Sequence, residues 1–262
     1  MNFIEANGVS LRYMIEGAGP PIVLIHEMGG TLESWNLLAP LLARHRRVIR
    51  YDTRGAGFSE KIRGLLRIDT MTDDLMALLD GLGISGKVAL AGTAVGGAIA
   101  LHTAWRFPGR IAAAIVSSPA ISIPPGNREA TLARVERFER EGVRVVADET
   151  AANGYPEELR GDRVRFEGFR ARWLANDPAS FGAIYRMLAD MDLSGELPEI
   201  KCPVLVIGGE FDRGRPPSRV EPIAKAIPRA TYKVLPVGHY AGLQAPELMA
   251  EEIEAFLGAA GA

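Results

Sequence analysis

Short apolar runs recur along the chain at Pro21 to His26, Val48 to Asp52, Lys87 to Gly92, Ile111 to Ser117 and Pro203 to Gly209. Most are separated by stretches with helical spacing. Runs this short, with no polar alternation, suit strands covered on both faces. Parallel neighbours need crossovers long enough to hold a helix, so the pattern predicts an α/β fold with a mostly parallel sheet flanked by helices. Helices are expected over Leu32 to Arg44, Met71 to Leu82, Val95 to Phe107, Arg219 to Ala226 and Pro246 to Leu257. Two earlier runs, Phe3 to Ala6 and Ser10 to Glu16, are joined by Asn7-Gly8, a hairpin signal that predicts an antiparallel edge.

The rhythm breaks at Ile123-Pro124-Pro125-Gly126. From there to about Pro198 the chain runs through amphipathic pieces, Leu132, Val135 and Phe138 and later Phe166, Phe169 and Trp173. The expected organisation is a core of residues 1–118 and 199–262 with a helical cap, 119–198, inserted into it. Ten arginines and ten carboxylates balance one another between Arg128 and Arg172. The cap therefore carries no net field, and recognition of an acidic substrate falls to individual arginines.

Composition narrows the function classes. With 262 residues and 47% hydrophobic content, the chain can bury a large core. A net charge of −2 argues against general affinity for nucleic acid or anionic membrane. The one longer basic cluster, Arg44 to Arg47, sits where a helix end meets a strand and complements the helix dipole. Cys202 has no disulfide partner within the chain and reads as a buried residue. Met1 to Gly17 shows neither a basic start with an apolar segment nor a membrane-length run, so a cytoplasmic location is expected. The partner expected is a small-molecule substrate, with no nucleic acid and no membrane; a homo-oligomer is left open. The four histidines and the cysteine lack ligand spacing, so no metal is expected. The glycine-rich corner lacks the lysine of a phosphate loop, and no cofactor is expected.

The chemistry gathers in four stretches. In "VALAGTAVGGAIALHTAWRFP", Val88 to Pro108, an apolar strand enters a glycine-flanked corner and leaves as a helix, the layout of a nucleophile elbow, yet Ala94 stands at the tip. Gly92, Gly96 and Gly97 supply the small flanks such a turn needs. Upstream, "VLIHEMGG" puts Glu27 and Met28 just beyond a strand, where a loop contributes an N–H to an oxyanion. His26 reads as a structural histidine of that loop. Downstream, Asp212 in "PVLVIGGEFDRGRPP" and His239 in "YKVLPVGHYAGLQAPELM" each follow a strand, in the chain order elbow, acid, base. His45 and His102 fall in helical segments and read as solvent or core residues.

On "VIRYDTRGAGFSE", "DDLMALLDGLGI", "FRARWLANDPASFGAIYRMLADMDL" and "GHYAGLQAPEL" the sequence resembles the α/β-hydrolases with a helical cap, and within them the 3-oxoadipate enol-lactone hydrolases. The resemblance spans nearly the whole chain. It implies that position 94 is the nucleophile, Asp212 the orienting acid, His239 the base, and the N–H groups of Met28 and Val95 the oxyanion hole. Glu27 and Trp173 are expected at the substrate. Two departures stand out: Ala94 replaces the family's serine, and Glu27 stands where a small or neutral residue is usual. Thr93, Ser117 and Ser118 offer no positioned replacement for the missing hydroxyl. Three readings follow: a serine-to-alanine change in an intact site, a serine-free enzyme in which His239 and Asp212 activate a water, or a silent binding protein on the same fold.

Overall fold

The computed structural model describes residues 1–124 and 126–262, so Pro125 of the expected break lies outside the described residues. Among the described residues eight strands form one sheet: β1 (Asn2–Ala6), β2 (Val9–Glu16), β3 (Pro21–Ile25), β4 (Arg47–Tyr51), β5 (Val88–Thr93), β6 (Ile111–Ser117), β7 (Val204–Gly209) and β8 (Ala230–Leu235). Their spatial order is β1-β2-β4-β3-β5-β6-β7-β8. β2 pairs antiparallel with both β1 and β4, and the strands from β4 onward in that order pair in parallel. The hairpin forms as the sequence predicts: Asn7 and Gly8 both take positive φ, 51° and 74°, which a two-residue turn between twisted strands requires.

Ten α-helices among the described residues cover the sheet and its carboxyl edge: α1 (Ala39–Leu42), α2 (Ile68–Gly81), α3 (Val95–Arg106), α4 (Arg128–Glu141), α5 (Arg144–Gly154), α6 (Arg163–Leu174), α7 (Pro178–Asp190), α8 (Pro217–Ala226), α9 (Ala241–Gln244) and α10 (Pro246–Ala260). The helix expected over Leu32 to Arg44 is instead a 3-10 turn, Leu32–Trp35, followed by the short α1. Pro40 explains the break. Its ring would collide with the carbonyl four residues earlier in a continuous helix, whereas near the start of α1 it is tolerated.

Alternation along the buried strands builds a core on each face. Val23, Ile25, Leu90, Val116 and Val206 pack on one side in a cluster with residues of α2, α3 and α8. Ile22, Leu24, Ala91, Ile115 and Ile207 pack on the other with residues of α1 and α10. A third cluster lies outside the sheet, where Val135, Phe138, Phe169, Trp173 and Phe181, contributed by α4, α6 and α7, meet Tyr240 and Leu243. Leu132 and Phe166 of the expected amphipathic stripe are only half-buried.

Topology decides where chemistry can sit. From β3 the chain moves to β4 on one side and then returns to β5 on the other. Loops leaving β3 and β5 therefore diverge, opening a crevice at the carboxyl ends of the strands.

Candidate active site

Ala94 lies between β5 and α3 with φ 52° and ψ −113°. A non-glycine residue there costs about 1–3 kcal/mol and persists only when its surroundings hold it. They do: the Ala94 N–H donates to the Ser117 carbonyl at 3.0 Å, and its own carbonyl accepts from Ala98 and Ala120 at 3.0 and 2.9 Å. The glycines are sterically required. A Cβ on Gly92 would strike the Gly96 carbonyl, and one on Gly96 would strike the carbonyls of Ile25 and His26.

The loop after β3 is pinned through His26. Its Nδ1 lies 2.7 Å from the Glu27 carbonyl, and its Nε2 accepts the Thr53 N–H at 3.0 Å, so the Nδ1–H tautomer satisfies both contacts. Both ring nitrogens are thereby engaged, as a structural histidine requires. Met28 and Val95 both border the crevice, and neither backbone N–H donates to a protein acceptor among the described residues. For Val95 this is expected of the first residue of a helix.

Asp212 and His239 come from the loops after β7 and β8. His239 Nδ1 lies 2.6 Å from Asp212 Oδ2, and no protein partner engages Nε2 among the described residues. The Asp212 side chain is fully buried. Burial opposes its ionisation, but the charge and hydrogen bond of His239 and the Arg215 N–H, 2.9 Å from Oδ1, outweigh it and hold the carboxyl down at about 2. Ser118, whose hydroxyl makes no well-formed hydrogen bond, adds less.

Helix α5 fastens these loops from above. The Gly154 carbonyl accepts the His239 N–H at 2.8 Å, and the Asn153 carbonyl accepts the Arg213 N–H at 2.9 Å. Trp173 of α6 is seated on Gly29, where a Cβ would lie 2.6 Å from the indole, and Asn176 donates to the Gly29 carbonyl at 3.0 Å. Main-chain contacts of α5 and the side chains of Trp173 and Asn176 thus join the helices between β6 and β7 to three of the loops around the crevice.

A cavity of about 230 Å³ lies beneath these helices, and Ala94, Val95, Met28, Trp173, Asp212 and His239 all line it. Glu27 does not. Its side chain accepts from Ser34 Oγ at 2.8 Å and is buried against the 3-10 turn, which corrects its expected place at the substrate. The backbone turn closed by Gly30 N–H to the Glu27 carbonyl, 3.0 Å, brings Met28 to the cavity while the carboxylate is held on Ser34. Sequence reasoning missed Arg134, Asn153, Tyr185 and Arg215, which also line the cavity. Only Arg215 carried a local signal, its place three residues after Asp212.

The crevice at the strand ends, the constrained elbow and the oriented histidine define a class. Residues 20–157 match the alpha/beta hydrolase fold family, and the chain belongs to it. It is similar over most of its length to 3-oxoadipate enol-lactonase 2 of Acinetobacter baylyi, 28% identical across 97% of this chain and 95% of that one. Among solved structures, the enol-lactonase of Burkholderia xenovorans superposes with a TM-score of 0.91 at 28% identity, covering 98% of this chain and 100% of that one. A malate-bound thermophilic esterase of Thermogutta terrifontis gives 0.93 at 28% identity, covering 99% of each. No helix among the described residues is long and apolar enough to cross a membrane.

Proposed function

We propose that the chain carries a hydrolase site for a small carboxylated lactone, ester or enol-type acid, with Ala94 at the nucleophile position. One observation carries this reading: Ala94 keeps the strained φ of 52° while lining the same cavity as the His239–Asp212 pair, so everything around the elbow is shaped for a side chain that lacks only its hydroxyl. With Glu27 turned onto Ser34, Ala94 is the one departure from the family pattern that faces the cavity. The enol-lactonases and the malate-bound esterase among its relatives support an acidic substrate of this size.

In the present chain the route open to His239 is through water. Nε2 takes a proton as the water oxygen bonds to the acyl carbon, and the N–H groups of Met28 and Val95 receive the developing oxyanion. The proton then passes to the leaving oxygen as its bond to the acyl carbon breaks. This route is slow for an unstrained ester because loss of the serine leaves only a small residual rate.

Ala94→Ser tests the reading. Turnover of short acyl esters and small lactones is expected to rise by about 10³-fold or more, with a transient acyl adduct at residue 94 visible by mass spectrometry. A folded Ala94→Ser protein with no adduct and diminished native turnover would instead establish the serine-free mechanism. No turnover by either form would leave a binding protein.

A further inference from the structure

We propose that Arg215 is the specificity-determining residue of this cavity, its guanidinium binding the carboxylate of a small acidic substrate while the scissile group lies at Ala94 and His239. The proposal rests on the hydrolase reading for the scissile group alone; the carboxylate site stands on its own geometry.

Three side chains able to carry positive charge line the cavity, Arg134, Arg215 and His239. Two are already matched. Arg134 Nη1 lies 2.7 Å from Glu149 and Nη2 lies 3.0 Å from the Thr150 hydroxyl, while His239 is held by Asp212 at 2.6 Å. Arg215 has no carboxylate partner among the described residues; its one side-chain hydrogen bond runs from Nη1 to the Pro119 carbonyl at 3.3 Å. The other four of its five N–H donors have no protein acceptor among the described residues, and their planar fork fits a carboxylate.

The surroundings sharpen this mismatch. Burial and the neighbouring Arg219 push the Arg215 guanidinium down to about 10, against the weaker pull of Asp212 and Tyr185. The side chain is half-buried and lines both this cavity and a neighbouring pocket of about 310 Å³ that Pro119 and Arg219 also border. A guanidinium in such a place, without a counter-ion, gains from an incoming anion what a solvated arginine would not. Its position is fixed as well: the Arg215 N–H is tied to Asp212 Oδ1 at 2.9 Å, and Pro216 and Pro217 restrict the backbone that follows. The residue that orients the base therefore also sets where the carboxylate binds. Of the ten arginines between Arg128 and Arg172, only Arg134 reaches the cavity, and Glu149 neutralises it. Carboxylate recognition thus passes from the inserted helices to the loop after β7.

The experiment compares the monomethyl and dimethyl esters of a short diacid as substrates of the Ala94→Ser protein, alongside calorimetric titration of the unmodified chain with succinate. Arg215→Gln is expected to lower the monomethyl-to-dimethyl ratio of kcat/KM, and the affinity for succinate, by about 30-fold each. Arg215→Lys should retain part of both, and Arg170→Gln, whose side chain is paired with Asp148 away from the cavity, should leave both unchanged. An unchanged ratio together with unchanged succinate affinity in a folded Arg215→Gln protein would overturn the proposal. If that variant fails to fold, the same comparison on Arg215→Lys decides. If the Ala94→Ser protein hydrolyses neither ester, the hydrolase reading fails, and succinate affinity alone still decides for or against Arg215.

Discussion

Two histidines meet carboxylates in this molecule, the buried His102 and the half-buried His239, and only His239 faces the candidate site. His102, on α3, lies with Nδ1 2.8 Å from Glu196 and Nε2 3.3 Å from Asp69. Both nitrogens are occupied, although the residue borders a larger groove of about 720 Å³. His239 has one carboxylate, on Nδ1, and turns an unengaged Nε2 toward a smaller cavity shared with a constrained elbow. A general base needs an orienting partner on one nitrogen and room on the other. Cavity size does not distinguish the two residues, whereas the count of engaged nitrogens does.

The comparison is tested most severely by removing each ring in turn. In the Ala94→Ser protein, His239→Ala is expected to lower kcat by about 10³-fold or more, and to cost stability as well because it strips the buried Asp212 of its partner. His102→Ala should leave kcat within a few-fold while lowering stability by about 1–2 kcal/mol in urea titration, since it removes a buried imidazole that links α3 to the more exposed Asp69 and Glu196. Equal losses of kcat in both variants would end the distinction.

Asp212→Asn sharpens it further. Catalysis should fall by about 10²–10⁴-fold because an amide favours the wrong tautomer of His239. The same change alters acid stability. Asp212 sits at about 2 in the folded chain against an ordinary 3.8. Its contribution is full above pH 3.8 and is lost as the pH falls toward 2, about 2 kcal/mol in all. The Asn variant should lack that limb of the stability curve, and a curve of unchanged shape would show that Asp212 is not held as described.

The sheet and the order of the chemical residues were legible in the sequence because both follow from local rules. Fully apolar runs marked the central strands, Asn7-Gly8 marked the hairpin, and glycines at 92, 96 and 97 marked the elbow. The matches to the alpha/beta hydrolase fold family and to enol-lactonase structures bear out the fold. What escaped was side-chain direction. Glu27 and Met28 are adjacent in a loop, where no periodicity tells which one faces a cavity, and only the contact with Ser34 resolves it. Arg134 and Arg215 look alike in sequence. Their difference lies in Glu149, fifteen residues from the first and 66 from the second in a chain whose helical insertion brings α4 and α5 together. Pairing across separate elements is a tertiary property, so composition could report balanced charge but not which arginine is left over.

A gentler perturbation acts on the seat of His239 rather than on its ring. His102 is held by elements of the sheet's own core, but the His239 backbone donates to the Gly154 carbonyl at the end of α5. Gly154 is packed so closely that an added Cβ would lie 2.8 Å from His239 Cβ and 2.9 Å from the Tyr240 ring. Real Cβ atoms do not approach that closely, so Gly154→Ala must move α5 away or shift His239. The overpacking costs about 1–3 kcal/mol in stability. Because Asp212 is anchored independently through the Arg215 N–H, a shift of His239 lengthens the bond between them instead of carrying both along. A misplacement of this kind should lower kcat of the Ala94→Ser protein about 10-fold, with His102 and the core unaffected. The check is kcat together with the imidazole N–H proton resonance of the His239–Asp212 bond: a reduced kcat with a displaced resonance confirms that the inserted helix sets the base, and an unchanged resonance would place the cost in α5 alone.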